Sequence, residues 1–300
     1  MYMHEIDVAT IATIDTPSLQ SSAMLLSIHI SMYTGRKADK KTREEVVAGK
    51  GAASKSAASV YRSLFAGDAD LEAINSFQAK ARRDVAAMTL PWSDSGTRLV
   101  STRNFFEVSQ QLSSMRHEFD ALVRKFAGGY ATKVSNAAFA LGDLFDRNEY
   151  PDPSEIMHKF AFNYSFEPVP SSNDFRVDLH NEAVEMLQKH YSDTTQRRLE
   201  SAMQDVWERV IDEAVKLRDK MIVPEEGRRP RIFASTLEGF KELVGSLHAL
   251  NITNDPKLEE ARTQLHNALE PVDIDSLRDS DDVRNSVRTK MQDVLDKFSY

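Results

Sequence analysis

The 300-residue chain has no cysteine. Disulfides, thiolate zinc sites and cysteine nucleophiles are therefore excluded, and a reducing compartment is compatible with the composition. No apolar run approaches the ~20 residues that a membrane-spanning helix requires. The first residues, MYMHEIDVATIATIDTPSLQSS, lack a basic segment followed by an apolar block, so they do not read as a secretory signal. The eight histidines are scattered, and none stands at metal spacing with a second ligand. His117-Glu118 lacks the second histidine of the zincin pattern, and Asp273, Asp275, Asp281 and Asp282 read as helix caps. There is no Gly-x-Ser-x-Gly elbow and no dinucleotide fingerprint. The expectation is a non-enzymatic protein without cofactor or metal, at home in the cytoplasm.

What is present is 41% hydrophobic and 28% charged residues with a net charge of −8, an ordinary globular composition. Charge is unevenly spread. The run from Tyr33 to Arg62 carries eight basic residues (Arg36, Lys37, Lys40, Lys41, Arg43, Lys50, Lys55 and Arg62) against Asp39, Glu44 and Glu45. It is therefore +5, and the rest of the chain is −13. A second basic group, Arg228, Arg229 and Arg231, lies next to Phe233.

Period-two alternation at Leu26, Ile28, Ile30 and Met32 predicts a strand leading to Tyr33, and Phe160, Phe162, Tyr164 and Phe166 predict another. A short helix is expected over Lys40–Ala48, then a small-residue loop, with order resuming at Tyr61–Phe65. Asp68 is a candidate N-cap for a helix bearing Leu71, Ile74, Phe77, Ala81, Val85 and Met88, which Pro91 ends. Phe105, Val108, Leu112, Met115, Phe119, Leu122 and Phe126 form one stripe of a long helix closed by Gly128-Gly129. A shorter helix is expected from Ala131 to Phe145. From Asp178 the chain reads as helix nearly to its end. Leu199, Met203, Val206, Val210, Leu217 and Met221 form a seam, Ser235 and Glu238 a capping box, and Asp255-Pro256 a helix start. The fold class is α+β and predominantly helical, with a small β-sheet in the N-terminal half and long helices in the C-terminal half. In chain order this gives an arm (1–23), an α+β domain with the basic segment (24–177) and a helical domain (178–300).

Gly49-Lys50-Gly51-Ala52-Ala53-Ser54-Lys55-Ser56 is a near miss to the phosphate-binding loop. Ser54 replaces its second glycine, and a helix stands where that loop needs a buried strand. Lys50 and Lys55 are better read as backbone-phosphate contacts. Cations that track a phosphodiester chain, with Tyr33 and Tyr61 as stacking faces, are the parts that non-specific single-strand binding uses. A solvated basic face balancing an acidic body is the plainer alternative. Trp92 is either a stacking platform or, more in keeping with a lone tryptophan, a core anchor.

Ordered short motifs over about residues 24–220 resemble a phage and bacterial family of unknown function. They are Tyr33-Thr34-Gly35-Arg36-Lys37-Ala38-Asp39-Lys40-Lys41, Gly49-Lys50-Gly51-Ala52 and Thr89-Leu90-Pro91-Trp92 with Arg98, followed by Phe119-Asp120, Leu141-Gly142-Asp143-Leu144-Phe145, Tyr150-Pro151, Lys159-Phe160, Pro168-Val169-Pro170 and Asp174-Phe175-Arg176-Val177. Within that family the chain is similar to the single-stranded-DNA-binding RNA polymerase cofactors of certain short-tailed bacteriophages. The resemblance implies a fold that is not an OB-fold, single-stranded DNA and the phage RNA polymerase as partners, a role in transcription regulation at melted promoters, and the host cell cytoplasm as location. A homo-oligomer is left open, and no membrane partner is expected. The expected nucleic-acid-binding set, inferred from charge and aromatic placement, is Tyr33, Arg36, Lys37, Lys40, Lys41, Arg43, Lys50, Lys55, Tyr61, Arg62, Arg228, Arg229 and Arg231. A helical adaptor that offers its apolar seams to partner proteins, such as an ATPase, is the alternative.

Overall fold

The computed structural model describes residues 16–171, 181–224 and 229–298. They form an α+β protein, predominantly helical. Six strands are present among the described residues: β1 (Ala23–Ser31), β2 (Arg36–Ala38), β3 (Tyr61–Ser63), β4 (Leu90–Pro91), β5 (Arg98–Ser101) and β6 (Ala161–Pro168). Four of them make a sheet in the order β4-β5-β1-β6, while β2 and β3 pair as a separate two-stranded ribbon. The described helices are α1 (Thr16–Ser22), α2 (Lys40–Gly49), α3 (Ala69–Met88), α4 (Phe105–Gly128), α5 (Tyr130–Leu141), α6 (Asn181–Lys220), α7 (Ala234–Leu250), α8 (Pro256–Leu269), α9 (Ile274–Asp279) and α10 (Asp281–Phe298).

The described residues fall into two compact units that interleave along the chain. One draws on Met1–Ser27, Val85–Ser109 and Ser165–Tyr300; the other consists of Ile28–Asp84 and Gln110–Tyr164. They cut across a linear division into arm, α+β part and helical part.

In the first unit, β5 pairs antiparallel with β1 (Ala23 opposite Ser101, Leu26 opposite Arg98) and with β4 (Leu90 opposite Leu99). Its core joins Leu90, Trp92 and Leu99 to the inner faces of α6, α7, α8 and α10. The α6 seam residues Leu199, Met203, Val206, Val210, Leu217 and Met221 are all buried. Trp207 stacks on Phe298, and its indole N–H donates to Asp255, the N-cap of α8. The C-terminal end of α3 leaves carbonyls without helical partners. Arg98 donates to Ala86 O, Thr89 O and Thr89 Oγ1, and Arg209 donates to the same two carbonyls. Two cations thus sit at the negative end of a helix dipole.

The second unit has an aromatic core. Phe65 packs against Tyr33, Phe126, Tyr130 and Tyr150, while Phe77, Phe119 and Phe162 form a second cluster. The α4 stripe supplies Leu112, Met115, Phe119 and Phe126 to the buried set. Gly35 takes φ +60°, and a Cβ there would lie 2.9 Å from Leu71 and 3.2 Å from Phe65. Only glycine meets both demands without strain. Asp68 caps α3 by accepting from the Leu71 N–H. Lys133 from α5 then ties Asp68 and Asp70 together at 2.6 Å each.

Several expectations change. α5 ends at Leu141 rather than Phe145, because Gly142 turns to φ +50° and a 3₁₀ turn, Gly142–Leu144, follows. Ser235 and Glu238 do not form a capping box: α7 starts one residue before Ser235, its N-cap is Phe233, and no side chain caps it. The C-terminal third is divided further than its pattern indicates, with α9 inserted between α8 and α10. The short strands β4 and β5 leave too few residues for a readable alternation. The helix start expected at Asp178 lies outside the described residues, as do residues 1–15 of the expected arm.

Candidate nucleic-acid interface

The basic segment lies wholly in the second unit. Asp39 ends β2 and caps α2: its carboxylate accepts from the Thr42 N–H at 3.0 Å and from the Thr42 hydroxyl at 2.9 Å. These bonds hold the Asp39 carboxyl below the usual aspartate range. The first turn of α2 then holds Lys40 and Lys41 and no acidic residue. Cations at a helix N-terminus oppose the dipole, so this arrangement costs folding free energy.

The ribbon register sets the faces. Arg36 is opposite Ser63, Lys37 opposite Arg62, and Ala38 opposite Tyr61. Alternation therefore puts Arg36, Ala38, Tyr61 and Ser63 on one face and Lys37 with Arg62 on the other. All four residues of the first face are exposed, Tyr61 at 65%. Among the described residues, Arg36, Lys37, Lys40, Lys41 and Lys50 are exposed and make no ion pair.

Three expected site residues are placed differently. Arg62 is committed inward: its Nη2 donates to both carboxylate oxygens of Glu149 at 2.9 and 3.1 Å, its Nε lies 3.3 Å from Asp39 and its Nη1 donates to the Leu144 carbonyl. Neutralising Arg62 lets it stand directly across from Lys37, where two free cations would repel. Tyr33 sets its ring edge-on to Phe65, and its hydroxyl is buried without a hydrogen-bond partner among the described residues. Burial first, then the neighbouring Tyr130, Tyr150 and Glu149, push its pKa well up, so it stays a neutral phenol packed into the core. Arg43 is half-buried, with Nε shut from solvent.

Gly49 ends helix α2 rather than following a strand, and Gly51 turns at φ +64° ahead of the 3₁₀ turn Lys55–Ala57. The segment lacks the strand-to-helix junction that makes a phosphate-binding loop. The Lys55 side chain and Arg228 lie outside the described residues. In the first unit, Trp92 is 6% exposed with the Arg198 guanidinium 5.8 Å from its ring centroid. It is a core anchor, and its ring has no open face for a base.

Arg229 and Arg231 lie in the first unit, separate from the ribbon segment. Arg229 pairs with Asp281 at 2.8 Å, and Arg231 lies over the Phe233 ring at 5.7 Å. They line a cleft with Arg278 and Arg284, two arginines that the basic-cluster reading missed. The signal was present: Arg284 holds the same helical stripe as Val287, Met291, Val294 and Phe298, at a position where an apolar residue is expected.

Among the described residues no group of three His, Asp or Glu side chains could hold a metal ion, and no helix is long and apolar enough to cross a membrane. No family model, characterised protein or solved structure matches the chain.

Proposed function

We propose that the chain is a single-stranded-DNA-binding protein that acts as a phage transcription cofactor and recruits the phage RNA polymerase to melted promoters, the role of the cofactor Drc that its ordered motifs resemble. One observation supports the DNA-binding half most. Arg36, Lys37, Lys40, Lys41 and Lys50 stand exposed, with no ion pair among the described residues, on one ribbon-and-helix segment, with Tyr61 presented on the same ribbon face as Arg36. Phosphodiester oxygens would meet the cations, and a base would stack on Tyr61, a contact of about 1–3 kcal/mol. The remainder of the chain, at −13, offers an acidic surface to a basic partner such as a polymerase.

The adaptor alternative required the α4 and α6 stripes to be open for partner helices, and both stripes are largely buried. The reading is tested by mobility shift with single- and double-stranded DNA of one sequence. Retardation of the single strand at lower protein concentration is expected. Equal affinity for the two forms would overturn the single-strand preference, and no shift with either would overturn the function.

A further inference from the structure

The cleft in the first unit between the α6–α7 connection and the α9–α10 corner has a volume of ≈ 860 Å³ and is lined by Arg229, Pro230, Arg231, Ile232, Arg278 and Arg284. Among the described residues its arginines are only partly paired. Arg229 is matched by Asp281 and Arg278 by Asp275, the latter at 3.4 Å, whereas Arg231 and Arg284 have no carboxylate partner among the described residues. Arg284 is only 3% exposed. Its Nε donates to Leu277 O at 2.6 Å, but its terminal nitrogens reach only Lys220 O and Pro230 O, at 3.3–3.5 Å. Those carbonyls are at or near the C-termini of α9 and α6 and on the following connection, so Arg284 braces the corner. The terminal contacts are long, so the fork is held more weakly than the Nε. Asp281 favours the charged form of Arg284 through space without hydrogen-bonding to it, and an oxyanion in the cleft would add a direct counter-charge.

We propose that this cleft binds a phosphate-bearing ligand of nucleotide size. Guanidinium forks match the oxygens of phosphate bidentately, and four arginines line this cleft. The volume lies within the range of small-ligand sites, and Pro230 and Ile232 provide an apolar wall for the rest of the molecule. The inference is independent of the ribbon reading, because the ribbon lies in the other unit.

The test is thermal unfolding of the full chain with inorganic pyrophosphate or a mononucleotide, against sodium chloride of equal ionic strength. Saturable stabilisation by both phosphates is expected, with the folded-to-unfolded ratio rising ~11-fold at ten times Kd. The double variant Arg231→Gln/Arg278→Gln leaves the Arg284 brace intact and should weaken pyrophosphate binding by at least tenfold. Lys37→Ala/Lys40→Ala/Lys41→Ala should bind pyrophosphate as the wild type does. Competition with an oligonucleotide, with and without a 5′-phosphate, distinguishes a strand end from a free nucleotide as the source. No stabilisation beyond the salt control, or an unchanged response in the double variant, would overturn the site. So would loss of the response in the lysine variant, which would assign the effect to the ribbon instead.

Discussion

Substituting Lys37, Lys40 and Lys41 together by alanine separates a binding surface from a merely solvated one. The three side chains are exposed and make no ion pair among the described residues, so their removal breaks no contact within the fold. Lys40 and Lys41 occupy the first turn of α2, where each opposes the helix dipole by about 0.3–1 kcal/mol, so the variant should unfold at the same temperature or slightly higher. Binding should change in a defined way. Each phosphate neutralised on a single strand adds about −0.7 to the slope of log affinity against log salt, so five contacting cations give about −3.5 and two give about −1.4. Between about 50 and 200 mM salt the wild type then loses ~130-fold in affinity and the variant ~7-fold. Fluorescence anisotropy of a labelled oligonucleotide at four or five salt concentrations measures both slopes. A variant with wild-type affinity and slope would refute the assignment of phosphate contacts to this segment. A large drop in melting temperature would refute the claim that these lysines are structurally idle.

Arg62→Ala should behave in the opposite way, costing about 2 kcal/mol in urea denaturation through the lost charged hydrogen bonds to Glu149 while leaving the salt slope unchanged; a changed slope with unchanged stability would place Arg62 on the DNA surface. Gly35→Ala places a Cβ 2.9 Å from Leu71 on a backbone at φ +60°, and a loss of at least 1 kcal/mol is expected; no loss would refute the close approach. The Asp70 carboxyl is held below its ordinary range by hydrogen bonds from Lys125 and then Lys133, so the folded state favours its ionised form. Its stabilisation is full above the unfolded pKa of about 4 and lost as pH falls through the lower folded value, so Asp70→Asn should flatten the acid limb of stability against pH; an unaltered limb in urea titrations would contradict the pairing.

The motifs that carry the family resemblance have physical explanations that are largely structural. Gly35 is required by its backbone and by Leu71, Thr89 and Arg98 close the end of α3, and Trp92 anchors a core. Tyr150 donates from a buried hydroxyl to Leu64 O. Within Tyr33–Lys41, the positions free of such duties are Arg36, Lys37, Lys40 and Lys41. The functional reading therefore narrows to those cations with Lys50 and Tyr61.

The sequence by itself determined whatever depends on neighbours within one element. The 3.6-residue stripes of α3, α4 and α6, the two-residue alternation of β6 and the caps at Asp68, Asp255 and Asp273 are local, and each is found where its pattern places it, whereas β1 begins three residues before Leu26 and ends before Met32. Only the tertiary structure decided which cations are free. Arg62 has the same charge as Arg36 and lies on the same ribbon, yet its partner Glu149 is 87 residues away. The cleft of Arg229, Arg231, Arg278 and Arg284 likewise assembles arginines from three separate elements or connections. Charge along a sequence shows how much cation is present; long-range pairing decides where it remains unpaired.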